Sequence, residues 1–279
     1  MCVLGTFNVV EDILEALAVL SVCGTSVPAK VAAEALERNG LTSTWEKWML
    51  DGAPNGVLLD DDILLLQPKT AELARRAASG FDKDWHDYCL WSIVEAVDSV
   101  RDELQGSEQL GALLVGVRAA RRLCESGFAH AIAPYMGWSL AATAGLLQEG
   151  QYESARAIVA GGAERVKSFP FETTYEQARL DWEVAQLDTE EALYRLGSDN
   201  FAEASLIVAL EAGCDAAARI EEYSDNDEEP VIAWCCMVEA FRAADDNDRA
   251  AESLLKAQEV LHERWSELGE MAVAALTAV

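Results

Sequence analysis

His86 and Cys89 stand three positions apart, with Asp84 and Asp87 beside them, so a helix would set an imidazole and a thiol on one face. That pair could open a zinc site. Zinc takes four ligands, however, and no CxxC or HExxH follows to supply the rest, so an ordinary helix start and no metal are expected. Cys235 and Cys236 would project about 100° apart on a helix and cannot chelate together. The three His are 86, 130 and 262, so a nucleophilic triad would need His130 to meet a distant Ser or Cys, and there is no GxSxG elbow. The run Glu221 to Glu229 holds six acids, but Asp225-Asn226-Asp227 lacks the Gly and the spacing of a calcium loop and reads as solvated. The expectation is a chain with no catalytic residues, no metal and no cofactor.

Two clusters point to binding instead. Arg118, Arg121 and Arg122 share a helix face at i, i+3 and i+4 and form the strongest basic cluster in a very acidic chain. They either pair internally, with Glu125 or a neighbouring helix, or anchor an acidic partner segment. Tyr135 and Trp138 flank Gly137 at the start of a helix, as core packing or as a pocket wall.

Composition limits the partners. The 279 residues carry a formal net charge of −28, with 21 Lys and Arg against 49 Asp and Glu. Such a charge repels phosphate backbones and anionic membrane surfaces, so direct nucleic-acid or membrane binding is not expected. Seven Cys, an odd number lying mostly within apolar helical patterns, read as reduced buried thiols of a cytoplasmic protein. The start, Met1-Cys2-Val3-Leu4-Gly5, lacks the basic flank of a secretion signal, and no uncharged run reaches the ~18–20 residues of a membrane span. Scarce Lys beside Arg fits a GC-rich bacterial source.

The elements that would position these residues fall into two parts. Within residues 1–80, a helix from about 9 to 22 shows a stripe of Ile13, Leu14, Leu17 and Leu20 and ends at Gly24. Ser26 reads as the N-cap of a second helix with Pro28 just inside it, stopping at Asn39-Gly40. A third begins near Ser43 and carries Trp45, Trp48 and Met49. Val57–Leu59 and Ile63–Leu66 then flank Asp60-Asp61-Asp62 as two strands and a turn, and a helix from 69 to 78 closes the part. Residues 81–279 show only amphipathic helices, predicted at about 84–104, 108–125, 134–149, 151–167, 172–197, 200–222, 231–244 and 247–267, with breaks such as Gly106-Ser107, Gly150 and Gly197-Ser198.

Three helices followed by a small hairpin resemble a winged helix. A DNA-reading version needs basic side chains on the third helix and the wing. Here the third helix offers Lys47, the turn is three Asp, and residues 1–80 hold eleven acids against six bases. A protein-docking winged helix is the better reading. Farther on, Gly150-Gln151-Tyr152-Glu153-Ser154-Ala155 resembles the turn of a tetratricopeptide repeat: a Gly ending one helix, an aromatic two residues later, and a small residue three beyond that. Asp199-Asn200-Phe201-Ala202-Glu203-Ala204 resembles it with Asp for Gly, and Asp246-Asn247-Asp248-Arg249-Ala250-Ala251 more weakly. The small residues 155, 204 and 251 are 49 and 47 apart, longer than the family's period of about 34.

The resemblance implies a mainly α protein: a winged-helix-like domain at 1–80, then an α-α superhelix of about four hairpins at 81–279. It further implies a groove lined by the first helix of each hairpin. Carried over residue by residue, that groove would take Leu140, Ala144 and Leu147, then Leu193 and Leu196, then Cys236, Ala240 and Ala243. The positions are small or apolar, which suits a helix or peptide of a protein partner rather than a terminal carboxylate. Together the two parts are similar to the C-terminal half of STAND-type signalling ATPases, although no GxxxxGK[ST] loop is present. The expected role is an adaptor or regulatory subunit in bacterial signalling or defence; the alternative is the ligand-sensing half of a STAND-like transcription regulator. The apolar end, Glu270 to Val279, would fold into its own groove, form a homodimer seam or dock on another protein.

Overall fold

The computed structural model describes residues 4–24, 26–59, 63–196, 201–226 and 228–264. Those residues form a mainly α protein. Among them no helix is long and apolar enough to cross a membrane. The chain divides into two compact units. Residues 1–155 with 169–171 make the first; residues 156–168 with 172–279 make the second. The change at 80/81 is one of element type, from strand-bearing to helical, whereas the units are drawn by packing.

In the first unit, α1 (Leu4–Cys23) buries Ala16 to Leu20 and Val22, while Leu14 of the expected stripe faces solvent. A strand, β1 (Ser26–Pro28), precedes α2 (Ala29–Arg38) and α3 (Thr42–Asp51). β2 (Val57–Leu59), β3 (Ile63–Leu66) and α4 (Pro68–Ala78) follow. Ser26 is therefore not a helix cap: it sits in β1, and Pro28 occupies the cap position of α2 without a side-chain bond. β3 is the centre of an antiparallel sheet ordered β1-β3-β2, with Ser26 opposite Leu65 and Val57 opposite Leu66. Three residues are too few to show an alternation, so pairing with β3 is what makes β1 a strand. Pro28 is tolerated because β1 is an edge. The sheet turns Val27, Val57, Leu64 and Leu66 inward and leaves Leu58 and Leu65 outward. On α3 only Trp48 of the three large residues named above enters the core, and Met49 is exposed. The aspartate turn, residues 60–62, lies outside the described residues.

The helices that follow are α5 (Lys83–Val100), α6 (Gly106–Glu125) and α7 (Ile132–Gln148). Asp82 caps α5 by accepting from the Trp85 N–H at 2.9 Å. α2 is tied to α5 by the Arg38–Glu95 ion pair at 2.9 Å and by the Tyr88 hydroxyl donating to the Arg38 carbonyl. α6 and α7 pack closely because Gly116 of α6 lies under the indole of Trp138. The buried hydroxyls of Ser139 and Thr143 donate to carbonyls one turn back, at 2.7 and 2.8 Å, so they cost little in that interface.

α8 (Tyr152–Val166) crosses from the first unit into the second, which also holds α9 (Thr174–Arg195), α10 (Ala202–Tyr223), α11 (Glu228–Ala243) and α12 (Asn247–Arg264). Asp181 near the start of α9 pairs with Arg219 near the end of α10, so these two run antiparallel. Glu229 at the start of α11 meets Tyr175 and Arg179 at the start of α9, which ties the beginnings of these two helices together. The core between them includes Trp182, Leu210, Ile220, Trp234, Met237 and Phe241.

One turn type recurs. Gly150 at φ +71° ends α7, with its N–H on Leu147 and the next N–H on Leu146. Asp245 at φ +58° ends α11 in the same way, with N–H groups of 245 and 246 on Arg242 and Phe241. The same turn also ends α2 at Gly40 and α6 at Gly127, and Asp245, not Asp246, is thus the counterpart of Gly150. The buried small residue five further on is Ala155 in one case and Ala250 in the other, and Ala251 is exposed. Ala204 is exposed as well, while its turn, residues 197–200, lies outside the described residues. Asp at a left-handed position is strained, so Asp245→Gly is expected to raise stability by about 1 kcal/mol, read as a higher urea midpoint.

Candidate functional site

The basic cluster is spread along α6 in the first unit. Arg118 bonds the Leu114 carbonyl through Nε at 3.1 Å, and its guanidinium lies against the backbone at Gly24. Arg121 makes an ion pair with Glu125 at 3.4 Å, without hydrogen-bond geometry at its buried Nε. Arg122 is exposed. Tyr135 and Trp138 are both core residues, each 2% exposed: Tyr135 meets the Phe169 ring edge-on at 5.7 Å, and Trp138 packs on α6. Packing accounts for both, although Trp138 also borders a recess of about 380 Å³ with Trp91, Pro134 and Arg101.

The apolar positions are divided between the units. Leu140 and Leu147 on α7 are half-buried and Ala144 is exposed. In the second unit Leu193, Cys236 and Ala240 pack against the core, whereas Leu196, at the end of α9, is exposed. Cys89, Cys124 and Cys235 are buried thiols. Burial, then Glu15, pushes Cys89 up to about 12, and its S–H donates to Asn39 Oδ1 at 3.4 Å. Burial, then Cys236 and Glu239, pushes Cys235 up to about 11. Cys2 and the apolar end, Glu270 to Val279, lie outside the described residues.

Another surface emerges in the second unit. A recess of about 480 Å³ is bounded by Arg156 of α8, the last two turns of α9 and the outer face of α10. Its charged wall is internally balanced. Arg156 grips Asp188 with two bonds, Nε–Oδ1 at 2.5 Å and Nη2–Oδ2 at 3.0 Å, and Arg195 pairs with Glu191 one turn back. Its other wall is apolar. Ala204, Val208 and Ala212 follow one another at i, i+4 and i+8 on the exposed side of α10, with Val208 64% exposed. The opposite side of the same helix buries Leu206, Leu210, Ala217 and Ile220.

α10 therefore carries more apolar residues than its own core contact uses. That excess was legible in the sequence: Ala202, Ala204, Leu206, Ile207, Val208, Ala209 and Leu210 cover more than one helix face. In the repeat pattern Ala204 holds the small packing position, which masks that excess. Among the described residues lining the recess, Arg156, Asp188, Glu191 and Arg195 are held in ion pairs, and Ser205 adds an exposed hydroxyl. No protein-family model, no curated protein and no solved structure matches this chain.

Proposed function

We propose that this chain is a non-enzymatic interaction module, an adaptor or regulatory subunit that holds a protein partner on its helical hairpins. The observation that carries this reading is the exposed apolar face of α10 beside a recess whose charges are already paired. A surface of that kind gains free energy by excluding water, and the carboxylates beside it, Asp188 and Glu191, are engaged by Arg156 and Arg195. The strand and helix order of residues 4–78, with β1 closing the hairpin into a three-stranded sheet, supports a winged-helix-like beginning. The packing of α9 on α10 and of α11 on α12 supports a tetratricopeptide-like stack after it. The acidic surface speaks against DNA as the partner of that winged-helix-like part.

The test is to recover the tagged full-length chain from its own cells under native conditions and to size it by light scattering. A stoichiometric complex with a second protein is expected. A chain that runs alone at every stage would sink the reading.

A further inference from the structure

The α10 face also defines the chemistry of what would cover it, given the interaction-module reading on which this inference rests. Ala204 and Ala212 are small and stand on either side of Val208, so another helix could approach closely and set its side chains around that one knob. The adjoining recess, about 480 Å³, has room for an anchoring apolar side chain. Charge decides which helix. Between residues 201 and 218 there is no Lys or Arg, while Glu203 and Glu211 are exposed on α10 and enter no ion pair among the described residues. The cations on the opposite wall, Arg156 and Arg195, are bonded to Asp188 and Glu191. The net field over the stripe is therefore negative.

A second copy of the chain is a poor occupant. It too carries −28, and an antiparallel twofold pairing of α10 centred on Val208 would bring Glu203 of each copy near Glu211 of the other. We propose that the Ala204–Val208–Ala212 stripe and its recess dock a cationic amphipathic helix of a partner protein, apolar side chains on the stripe and Lys or Arg against Glu203 and Glu211. This is helix-in-groove recognition, in which the apolar face supplies affinity and the flanking charges supply selection.

Three synthetic helical peptides test it by fluorescence anisotropy against the full-length chain at about 0.15 M salt, where the Debye length is about 8 Å. One has a Leu stripe flanked by Lys and Arg, the second the same stripe flanked by Glu, and the third the cationic composition with its stripe scrambled. The first is expected to bind at least tenfold more tightly than either other peptide. Glu203→Lys with Glu211→Lys, its folding checked by an unchanged thermal melt, is expected to reverse the preference towards the Glu-flanked peptide. Val208→Asn should weaken both amphipathic peptides severalfold. Equal binding of the scrambled peptide, a preference unmoved by the charge swap, or a homodimer in light scattering that the swap or Val208→Asn dissociates would each overturn the proposal. If the swap leaves a native heteromeric complex from cells intact, the α10 site falls and the interaction-module reading stands. If no such complex exists, that reading falls by itself.

Discussion

Gly116→Val is expected to destabilise the first unit strongly. A Cβ at Gly116 would lie 2.5 Å from Cε3 and 2.7 Å from Cζ3 of Trp138, and 3.0 Å from Cγ1 of Val97. None of these is the loose end of a flexible chain: the indole is buried and Val97 belongs to the core of α5. Insertion of extra methyl groups into a filled interior costs about 1–3 kcal/mol and sometimes more. With a rigid ring and a β-branched neighbour both this close, the upper end of that range or beyond applies to Val, and roughly 1–3 kcal/mol to Ala. Trp138→Ala is expected to cost about 3–5 kcal/mol for the opposite reason, a cavity in place of the ring. The double variant should be less damaged than the sum of the two, because the cavity accommodates the new side chain. Urea titrations by circular dichroism would read these as midpoint shifts. A Gly116→Val midpoint equal to that of the parent would refute the close approach of α6 and α7.

The second large effect is at Glu229. Its carboxylate accepts from the Tyr175 hydroxyl at 2.6 Å, from the Ser224 hydroxyl at 2.9 Å and from Arg179 Nε at 2.8 Å. Three donors from α9 and from the loop ahead of α11 thus converge on one side chain, itself 19% exposed, in the first turn of α11. Loss of one partner of a buried pair costs about 3–5 kcal/mol; partial exposure reduces this to about 2–3 kcal/mol for Glu229→Ala. Glu229→Gln keeps an acceptor for the hydroxyls and loses the charge for Arg179, so a smaller loss is expected.

The same cluster makes an alkaline prediction. Burial, and next the bond to Glu229, hold the Tyr175 phenol well above its ordinary value. A raised folded-state pKa means stability that is complete below the unfolded value and declines as pH rises above about 10. Tyr175→Phe is expected to remove this group's share of the decline. Denaturant midpoints of parent and variant between pH 8 and 11 measure it, and parallel curves would count against the bond.

Helices such as α2 and α6 were readable because each carries a local periodic signal and stops at a residue with a physical reason to stop, Gly40 or Gly127 at positive φ. β1 was not readable because its identity depends on β3, which comes much later in the chain. Trp45 and Met49 show the other limit: hydrophobicity says that a residue prefers burial, not that a neighbour is there to cover it. The α10 stripe escaped for a related reason. A repeat pattern allots each residue to a single role, and Ala204 fits the small-residue position of the pattern while standing on the wall of a recess. The paired charges there could not be foreseen, since Arg156 and Asp188 are joined by the folding of α8 onto α9 and not by their spacing.

The placement of β1 also bears on the order of events as the chain folds. α5, α6 and α7, and likewise α9 to α12, each pack on the helix next to them in sequence, so their contacts close short loops and carry small entropic costs. Ser26 must instead find Leu65 across α2, α3 and β2 before the sheet has its central pairing. Contacts of high sequence separation lower folding rates. The hairpins of the second unit are therefore expected to gain structure on the fast timescale of helical proteins, and the zipping of β1 onto β3 to be the slow step of the first. A nascent chain would have to expose β3 to the ribosome exit before β1 could be captured.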